Sequence, residues 1–253
     1  MQNKAIKEKK KRKGLLFVIF RGIAKLFYGK RKHVGLQNIP QEPCIIVGNH
    51  AQLHGSLTAE LVYPYKKYTW CIGDLMHLKE APAYAFKDFW SSKPARTHKF
   101  YKAMSYVVSP LLVYIHNNAD VIGVYKDMRG ISTFKNSVKA LKQGAHIILY
   151  PEYHKPYNNI VNEFQTKFVD LARLYYKDTD TELSFVPMYI APKLKTIVYG
   201  KPIKYNSAEP IEQQRTTICE YLKTEITNMA QQLPVHTVIP YENISKKDYP
   251  KSK

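Results

Sequence analysis

The stretch Cys44-Ile45-Ile46-Val47-Gly48-Asn49-His50-Ala51-Gln52-Leu53-His54-Gly55 decides how the whole chain is interpreted. Its apolar run, residues 45–47, predicts a short strand buried on both faces. The strand ends at Gly48, and Asn49 and His50 follow at once, ahead of helix formers over 56–61. Open α/β sheets place their chemistry where a strand ends in polar groups before a helix. A lone histidine there can equally be a structural residue, so His50 needs support from other segments.

The remainder of the chain alternates apolar strands with amphipathic helices. The patterns predict strands over 68–73, 121–125, 146–150, 183–190 and 195–199, and helices over 132–142, 162–176 and 211–233. This alternation predicts a single α/β domain with a mixed or largely parallel sheet flanked by helices. Pro187 would put its strand at a sheet edge or a bulge. We expect the domain to cover 34–240, followed by a polar, flexible tail over 241–253.

Positive charge is concentrated at the N-terminus. The chain of 253 residues has a formal net charge of +19, and residues 1–33 carry 12 Lys or Arg against the single acid Glu8. The segment 1–13 holds seven of these basic residues and is predicted to be disordered and solvated. A basic excess of this kind indicates a membrane surface, acidic substrates or nucleic acid as partner.

An apolar segment lies between two basic clusters. Residues 15–28 include 11 apolar residues of 14, interrupted by Arg21 and Lys25. The segment is too short to span a bilayer, and no cleavage site for a signal peptide follows it. It predicts an amphipathic helix lying in the membrane interface, or else a first helix packed on the core. Nucleic acid has no use for so apolar a segment, and we expect none as a partner.

Two further features of the sequence bear on the function and the compartment of the protein. Residues 99–116 are rich in aromatic and apolar residues, which fits a core-facing helix, the wall of an acyl-chain groove or a second membrane contact; the sequence does not separate these. The three cysteines, Cys44, Cys71 and Cys219, are widely spaced and form no CxxC pair. This spacing argues against a disulfide framework and a zinc ribbon, and favours a reducing cytoplasmic compartment.

Four blocks of sequence, taken together, point to one family. They are Asn49-His50 after the first strand, Val121–Lys126, Ile147–Glu152 and Phe185–Ile190. In order and spacing they resemble the PlsC-type glycerolipid acyltransferases, whose pattern is Asn-His-x4-Asp, a strand ending in a basic residue, Phe-Pro-Glu-Gly-Thr-Arg-Ser, and an apolar Val-Pro strand. The resemblance covers roughly residues 34–205 and implies the same α/β fold, seated on a membrane by an N-terminal helical element.

The resemblance also implies roles for individual residues. It makes His50 the general base and carries Glu152 over as its partner in the catalytic site. It implies that Asn49, Lys126, Pro151 and Lys155 contact the substrates, the two lysines meeting an anionic headgroup by charge alone. The implied reaction moves a fatty acyl group from acyl-CoA or acyl carrier protein to a lysophospholipid-like hydroxyl, as a step of phospholipid synthesis. It needs no metal or bound cofactor, and it would take place peripherally, on the cytoplasmic side of a membrane with anionic lipids.

The sequence departs from the family pattern at several positions. Gly55 stands where the motif has its Asp, so the residue that would orient the His50 ring is missing. Glu60, Glu152 or an ordered water are candidate replacements; His54 would be a poor one, and a His50–His54 metal site lacks a third ligand. Tyr153 replaces a glycine of the family pattern, and Lys167 also falls near one, so we expect an acceptor site of different shape. The alternative function is a catalytically impaired relative that binds lipid or acyl carrier at the membrane.

Overall fold

The apolar run that opens the analysis forms β2 (Ile45–Gly48), the middle strand of the main sheet. The computed structural model describes residues 13–253, so the basic segment predicted over 1–13 lies, except for Lys13, outside the described residues. The remaining strands are β1 (Lys32–Val34), β3 (Lys67–Ile72), β4 (Val121–Val124), β5 (His146–Leu149), β6 (Glu152–Pro156), β7 (Asn162–Phe164), β8 (Ser184–Ala191), β9 (Thr196–Tyr199) and β10 (Ile203–Lys204).

Seven α-helices flank the sheet in the described part of the chain. They are α1 (Leu15–Tyr28), α2 (Leu53–Leu61), α3 (Ala81–Ala85), α4 (His98–Asn118), α5 (Gly130–Lys142), α6 (Asp170–Thr179) and α7 (Ile211–Gln232). Helix α3 continues into a π-helical turn over Phe86–Trp90. The predicted single α/β domain with flanking helices and an N-terminal helix is confirmed.

The main sheet is mixed, with a parallel centre. Its strand order is β1-β9-β8-β2-β5-β3-β4, and β10 also pairs with β8. Strands β8, β2, β5, β3 and β4 run parallel to one another, whereas β9 and β10 run antiparallel to β8. The carboxyl ends of the parallel strands therefore meet at one edge, which is the edge that carries His50.

Both faces of β2 are buried, as its unbroken apolar run predicts. Ile45 and Val47 belong to one apolar cluster, with Phe185 and residues of α6 and α7, while Ile46 belongs to a second cluster with Ile148. All three β2 residues are fully buried. Successive side chains of a strand point to opposite faces, so an uninterrupted apolar run is the pattern that a strand covered on both faces requires.

One local prediction was wrong, and another was wrong in one of its two alternatives. The segment 162–176 is not one helix: β7 pairs with β6 in a small antiparallel sheet, and α6 begins only at Asp170. The backbone amide of Asn162 donates to a buried side chain of β6, as described below, and this bond draws the segment into a strand. Pro187 does not lie on an edge strand, because β8 is paired on both sides. It falls in the gap between the residues that pair with β10 and those that pair with β9, where a missing N–H costs no ladder bond.

Helix α1 is attached to the domain through a cluster of charges. Glu60 on α2 accepts from Arg21 of α1 at 2.8 Å and from Lys67 of β3 at 2.7 Å. Phe17 and Tyr28 are the buried members of α1, whereas most of its other large apolar side chains are exposed. The helix is therefore anchored on the protein along one side only. Within residues 13–253, no helix has both the length and the apolar character needed to cross a bilayer.

Helix α4 presents an exposed apolar face of its own. Ser105 and Ser109 are buried, but Phe100 is 63% exposed and Val107 is 70% exposed. The interpretation of residues 99–116 as a core-facing helix therefore holds for one face of α4 only.

The tail predicted to be flexible makes defined contacts with the domain. Ser252 is buried, its backbone amide donates to the His236 carbonyl, and Lys251 forms an isolated β-bridge with Thr237. The division of the chain at residue 241 stays a prediction, but the residues beyond it pack on the rest of the protein, because polar side chains in the tail find polar partners there.

We expect Glu60→Gln to lower the free energy of unfolding by about 3 kcal/mol, because it leaves the charge of Lys67, whose side chain is 7% exposed, without its partner. The matched control is Asp178→Asn, which breaks an ion pair of equal length with Lys142 between side chains about half exposed, and should cost less than about 1 kcal/mol. Urea unfolding monitored by circular dichroism measures both. Equal losses in the two variants would contradict the anchoring role of Glu60.

Candidate active site at the carboxyl ends of β2 and β5

His50 lies on a strained turn between β2 and α2. Ala51 and Gln52 both have positive φ, 45° and 53°, although neither is glycine. The backbone amide of Gly55 donates to the His50 carbonyl at 2.9 Å, which closes the turn. Non-glycine residues at positive φ cost free energy and cluster at functional sites. The fold therefore holds His50 in a defined position, although the turn that does so costs conformational free energy.

Gly55 is required by this turn. A Cβ atom at position 55 would lie 2.6 Å from the His50 carbonyl oxygen, closer than real side chains come to backbone. The Asp of the family motif cannot be placed here unless the turn moves. The absent Asp and the tight turn are thus two aspects of one local arrangement.

Glu152 fixes the backbone of this turn rather than the imidazole. One carboxylate oxygen accepts from the backbone N–H of His50 at 2.6 Å, and the other accepts from the backbone N–H of Asn162 at 2.8 Å. The side chain is 3% exposed. Glu152 lies beside His50, but its hydrogen bond reaches the main chain, and the catalytic role that the resemblance implies for it stays a prediction. Glu152 therefore acts as a positioning residue, and it does not fix the tautomer of the ring directly.

Two aromatic rings contact the His50 imidazole edge-on. The centroid of Tyr150, at the end of β5, lies 5.6 Å away at 70°, and that of Tyr241 lies 5.4 Å away at 82°. The Nδ1 atom of His50 is buried and makes no hydrogen bond within the described residues. The ring can consequently exchange a proton with a substrate only through Nε2.

Burial shifts the pKa values of His50 and Glu152 in opposite directions. It lowers the pKa of His50, an effect that the backbone of Gln52 opposes in part. Burial also raises the pKa of Glu152 to about 7, although the hydrogen bonds from the backbone N–H groups of His50 and Asn162 act to lower it. A histidine with a lowered pKa is neutral near pH 7, which is the form a general base requires.

Two other residues predicted to contact the substrates, Asn49 and Pro151, are buried. Both polar atoms of the Asn49 side chain are bonded to the backbone of Ile190 in β8, so this buried amide joins two strand ends. Pro151 is buried as well, and its carbonyl accepts from Gln165. Neither residue offers the substrate a free polar group on its side chain.

The two lysines are exposed at the same edge. Lys155 belongs to β6, three residues after Glu152, while Lys126 follows β4. Strand β4 lies three strand spacings from β2, or about 14 Å at a spacing of about 4.8 Å. Lys126 is therefore not brought against His50, and only a molecule that spans this edge could contact both. Tyr153 is 53% exposed and adds bulk to the same edge.

The remaining candidates are placed elsewhere. The hypothesis that Glu60 orients His50 is wrong, because Glu60 is bonded to Arg21 and Lys67. The ring of His54 lies 5.9 Å from that of Tyr28. Among residues 13–253, no group of three His, Cys, Asp or Glu side chains is arranged to hold a metal ion.

Sequence reasoning missed Tyr150, Tyr241 and Gln52 as parts of this site. The Gln52 amide donates to the Glu242 carbonyl at 3.1 Å and to the Tyr249 hydroxyl at 2.9 Å, which brings the C-terminal segment over the turn. Tyr150 precedes the Pro-Glu pair and could have been found from the block it belongs to. No pattern pointed to Tyr241, because it follows the last helix by nine residues in a polar segment.

The comparisons with known proteins agree with this architecture. The crystal structure of the 1-acyl-sn-glycerophosphate (LPA) acyltransferase PlsC from Thermotoga maritima matches with a TM-score of 0.51 and 14% sequence identity, over 87% of this chain and 81% of that chain. No family model and no curated protein sequence matches the chain. At this identity the likeness shows the fold, so the fold implied by the four sequence blocks is confirmed.

We expect Glu152→Gln to change how stability depends on pH. The pKa of Glu152 is about 7 in the folded protein against 4.5 ordinarily, so the unfolded chain loses this proton first as the pH rises. Between pH 4.5 and 7 the wild type should therefore lose stability relative to the variant, by about 3 kcal/mol at most, and the difference should level off above pH 7. Urea unfolding across this range measures it. A constant difference between the two proteins would contradict a raised Glu152 pKa.

Proposed function

We propose that this protein is an acyltransferase that moves an acyl group from a thioester, acyl-CoA or acyl carrier protein, to the hydroxyl of a lysophospholipid-like acceptor. The observation that carries the proposal is the position of His50: at the carboxyl end of the middle strand, fixed through its backbone by Glu152, in a fold that a PlsC acyltransferase shares. A strained turn, a neutral histidine and this fold occur together at one site, and together they fit an acyl-transfer reaction.

In this reaction Nε2 of His50 takes the proton of the acceptor hydroxyl while the oxygen attacks the thioester carbonyl. The C–O bond forms, the C–S bond breaks, and the proton held on His50 goes to the departing thiolate, so no other reactant is consumed. Burial keeps the pKa of His50 below its ordinary value, and the imidazole is ready to accept a proton near pH 7.

An anionic headgroup would give the two exposed lysines a role. Lys155 lies on the strand that begins with Glu152, and Lys126 lies about 14 Å from β2 along the same edge. Lysine holds a phosphate as a point charge, without the two parallel bonds that arginine makes. These lysines therefore fit a phosphate-bearing acceptor without specifying one.

We expect His50→Ala to lower the rate of acyl transfer by at least about 100-fold, since general base catalysis contributes that much or more. Thiol release from a long-chain acyl-CoA, with lysophosphatidic acid in vesicles as acceptor, measures the rate. The matched control is His33→Ala on the edge strand β1, on the opposite side of β2 from β5, which should retain the wild-type rate. Similar rates in wild type and His50→Ala would contradict the role of His50.

Membrane association is the second part of the proposal, and exposed apolar surface supports it. Helix α1 exposes eight large apolar side chains: Leu15, Leu16, Val18, Ile19, Phe20, Ile23, Leu26 and Phe27. Monomeric proteins rarely expose so large a contiguous apolar patch without a partner. The basic residues 30–32 follow the helix directly, which suits a surface of anionic headgroups.

Helix α4 extends this apolar surface. Residues at positions 100, 107, 111, 114 and 118 share one helical face by their spacing. The C-terminal members of this face hold the start of α1: Asn118 accepts from the Gly14 amide at 2.8 Å, and the Tyr114 hydroxyl accepts from the Phe17 amide at 3.3 Å. The exposed members Phe100, Val107 and Leu111 therefore continue the surface of α1. This continuity favours the second membrane contact among the readings of residues 99–116.

We expect Leu26→Gln combined with Phe27→Gln to weaken binding to anionic vesicles by at least about 100-fold, because each apolar side chain inserted contributes about 1.5 kcal/mol or more. The pair is 80% and 85% exposed, so its removal leaves the core intact. The control is Met128→Gln with Ile131→Gln, which are also exposed but lie outside α1 and α4. Vesicle sedimentation gives both affinities. Equal binding by the two double variants would contradict the assignment of α1 to the membrane.

One observation favours a second candidate, a relative that binds lipid or acyl carrier at the membrane without transferring the acyl group. Nδ1 of His50 has no hydrogen-bond partner in the described chain, and no carboxylate orients the ring. Vesicle binding that persists without acyl transfer, with either acyl-CoA or acyl carrier protein as donor, would support this candidate.

A further inference from the structure

The place of the missing motif carboxylate is occupied by an aromatic ring. A Cβ atom at Gly55 would lie 3.1 and 3.2 Å from two ring atoms of Tyr150, and the Tyr150 hydroxyl donates to the Gly55 carbonyl at 2.6 Å. Tyr150 thus fills the space into which a side chain at position 55 would project. The same ring contacts the His50 imidazole edge-on.

Tyr241 supplies a second edge contact to the imidazole, and its own place is fixed. Its ring lies 5.3 Å from that of His154 on β6 as well as 5.4 Å from that of His50. The next residue, Glu242, accepts from the Gln52 side chain through its carbonyl, and the Tyr249 hydroxyl bonds to the same amide. The C-terminal segment is therefore attached to the strained turn itself, at Gln52, two residues after His50.

We propose that Tyr150 and Tyr241 hold the His50 imidazole in one orientation by edge-on packing, in place of the carboxylate of the His-x4-Asp pattern, and that the C-terminal segment 241–252 is part of this site. Its catalytic meaning rests on the proposed function, but the orientation of the ring does not. Both tyrosines are positioning residues, since they act through His50.

This arrangement accounts for two observations that are otherwise unconnected. A carboxylate would hydrogen-bond Nδ1 and raise the pKa of the imidazole, whereas two ring edges exclude water and leave Nδ1 without a partner. Gln52 adopts a strained conformation at φ 53°, and its side chain gains two partners in the C-terminal segment by doing so. The strain is balanced by contacts that close the segment over His50.

The groups facing His50 from neighbouring elements limit what its titration can report. Glu152 of β6 accepts from its backbone amide, Tyr150 follows β5, and the Tyr241 ring contacts those of both His50 and His154. Removing the Tyr241 side chain opens the His50 imidazole to water, and the structure gives no hydrogen bond to that tyrosine hydroxyl among the described residues. Tyr241→Ala is therefore the informative change, and Tyr241→Phe keeps the ring while removing the hydroxyl.

The test is a nitrogen NMR titration of the His50 ring in the full chain, assigned with His50→Gln. The wild type should titrate below the ordinary value of 6.5 and show one dominant tautomer. Tyr241→Ala should move the midpoint upward toward 6.5 and mix the tautomers, while Tyr241→Phe should keep both wild-type features. The control Tyr221→Ala removes a tyrosine of α7 whose hydroxyl donates to the Lys201 carbonyl, away from the groups that contact His50, and it should change neither. An unchanged His50 titration in Tyr241→Ala would overturn the proposal.

Kinetics separate this proposal from the proposed function. If both are correct, Tyr241→Ala should lower kcat by about 10- to 100-fold and change KM by less than about twofold, because a misplaced base affects the chemical step. A shifted titration in a protein that transfers no acyl group would keep the positioning role and reject the acyltransferase. A normal titration with lowered kcat would reject the positioning role alone.

A second pair of variants applies should Tyr241→Ala fail to fold. Gln52→Gly relieves the positive φ and removes both bonds to the C-terminal segment, whereas Ala51→Gly relieves a positive φ of 45° and keeps them. Only Gln52→Gly should move the His50 titration upward. Equal titrations in these two variants would contradict the attachment of the segment to the site.

Discussion

The buried carboxylate of Glu152 is the interaction on which the site depends. It links the backbone amide that follows β2 to the backbone amide that begins β7, across 102 residues of sequence on one side and 10 on the other. A carboxylate buried to this degree is costly unless it is fully hydrogen-bonded, and two main-chain donors satisfy it. The strand ends at which His50, Tyr150 and the β6–β7 hairpin meet are therefore fixed relative to one another.

The tight turn after β2 follows from the same constraint. With the His50 amide held by Glu152, the chain enters α2 through two residues at positive φ, and its closing bond leaves no space for a side chain at Gly55. The loss of the motif carboxylate is thus compatible with an ordered site. Packing by Tyr150 and Tyr241 replaces one hydrogen bond by two apolar contacts, which exclude water and keep the imidazole neutral.

The sequence predicts those features that depend on local pattern. The apolar run at β2 and the alternation of strands and helices follow from periodicity. The proximity of His50 to Glu152 is what the resemblance of the four blocks to the PlsC-type family implies. It does not predict β7, because a hydrogen bond from Asn162 to a buried side chain outweighs the helical spacing of the segment. Tyr241 and Gln52 meet through contacts distant in sequence, and no local pattern encodes them. The candidate role of Glu60 fails because spacing along α2 says nothing about its partners on α1 and β3.

The exposed apolar faces of α1 and α4 and the His50 site support one proposal, in which the protein meets its acceptor at a membrane surface. Its central claim is acyl transfer, and product analysis tests it most directly. Purified wild-type chain would be incubated in anionic vesicles with lysophospholipid and acyl-CoA labelled in the acyl chain. The account predicts free thiol and labelled diacyl lipid in equal amounts. Labelled free fatty acid in place of diacyl lipid, or no thiol release while the protein stays bound to the vesicles, would contradict it.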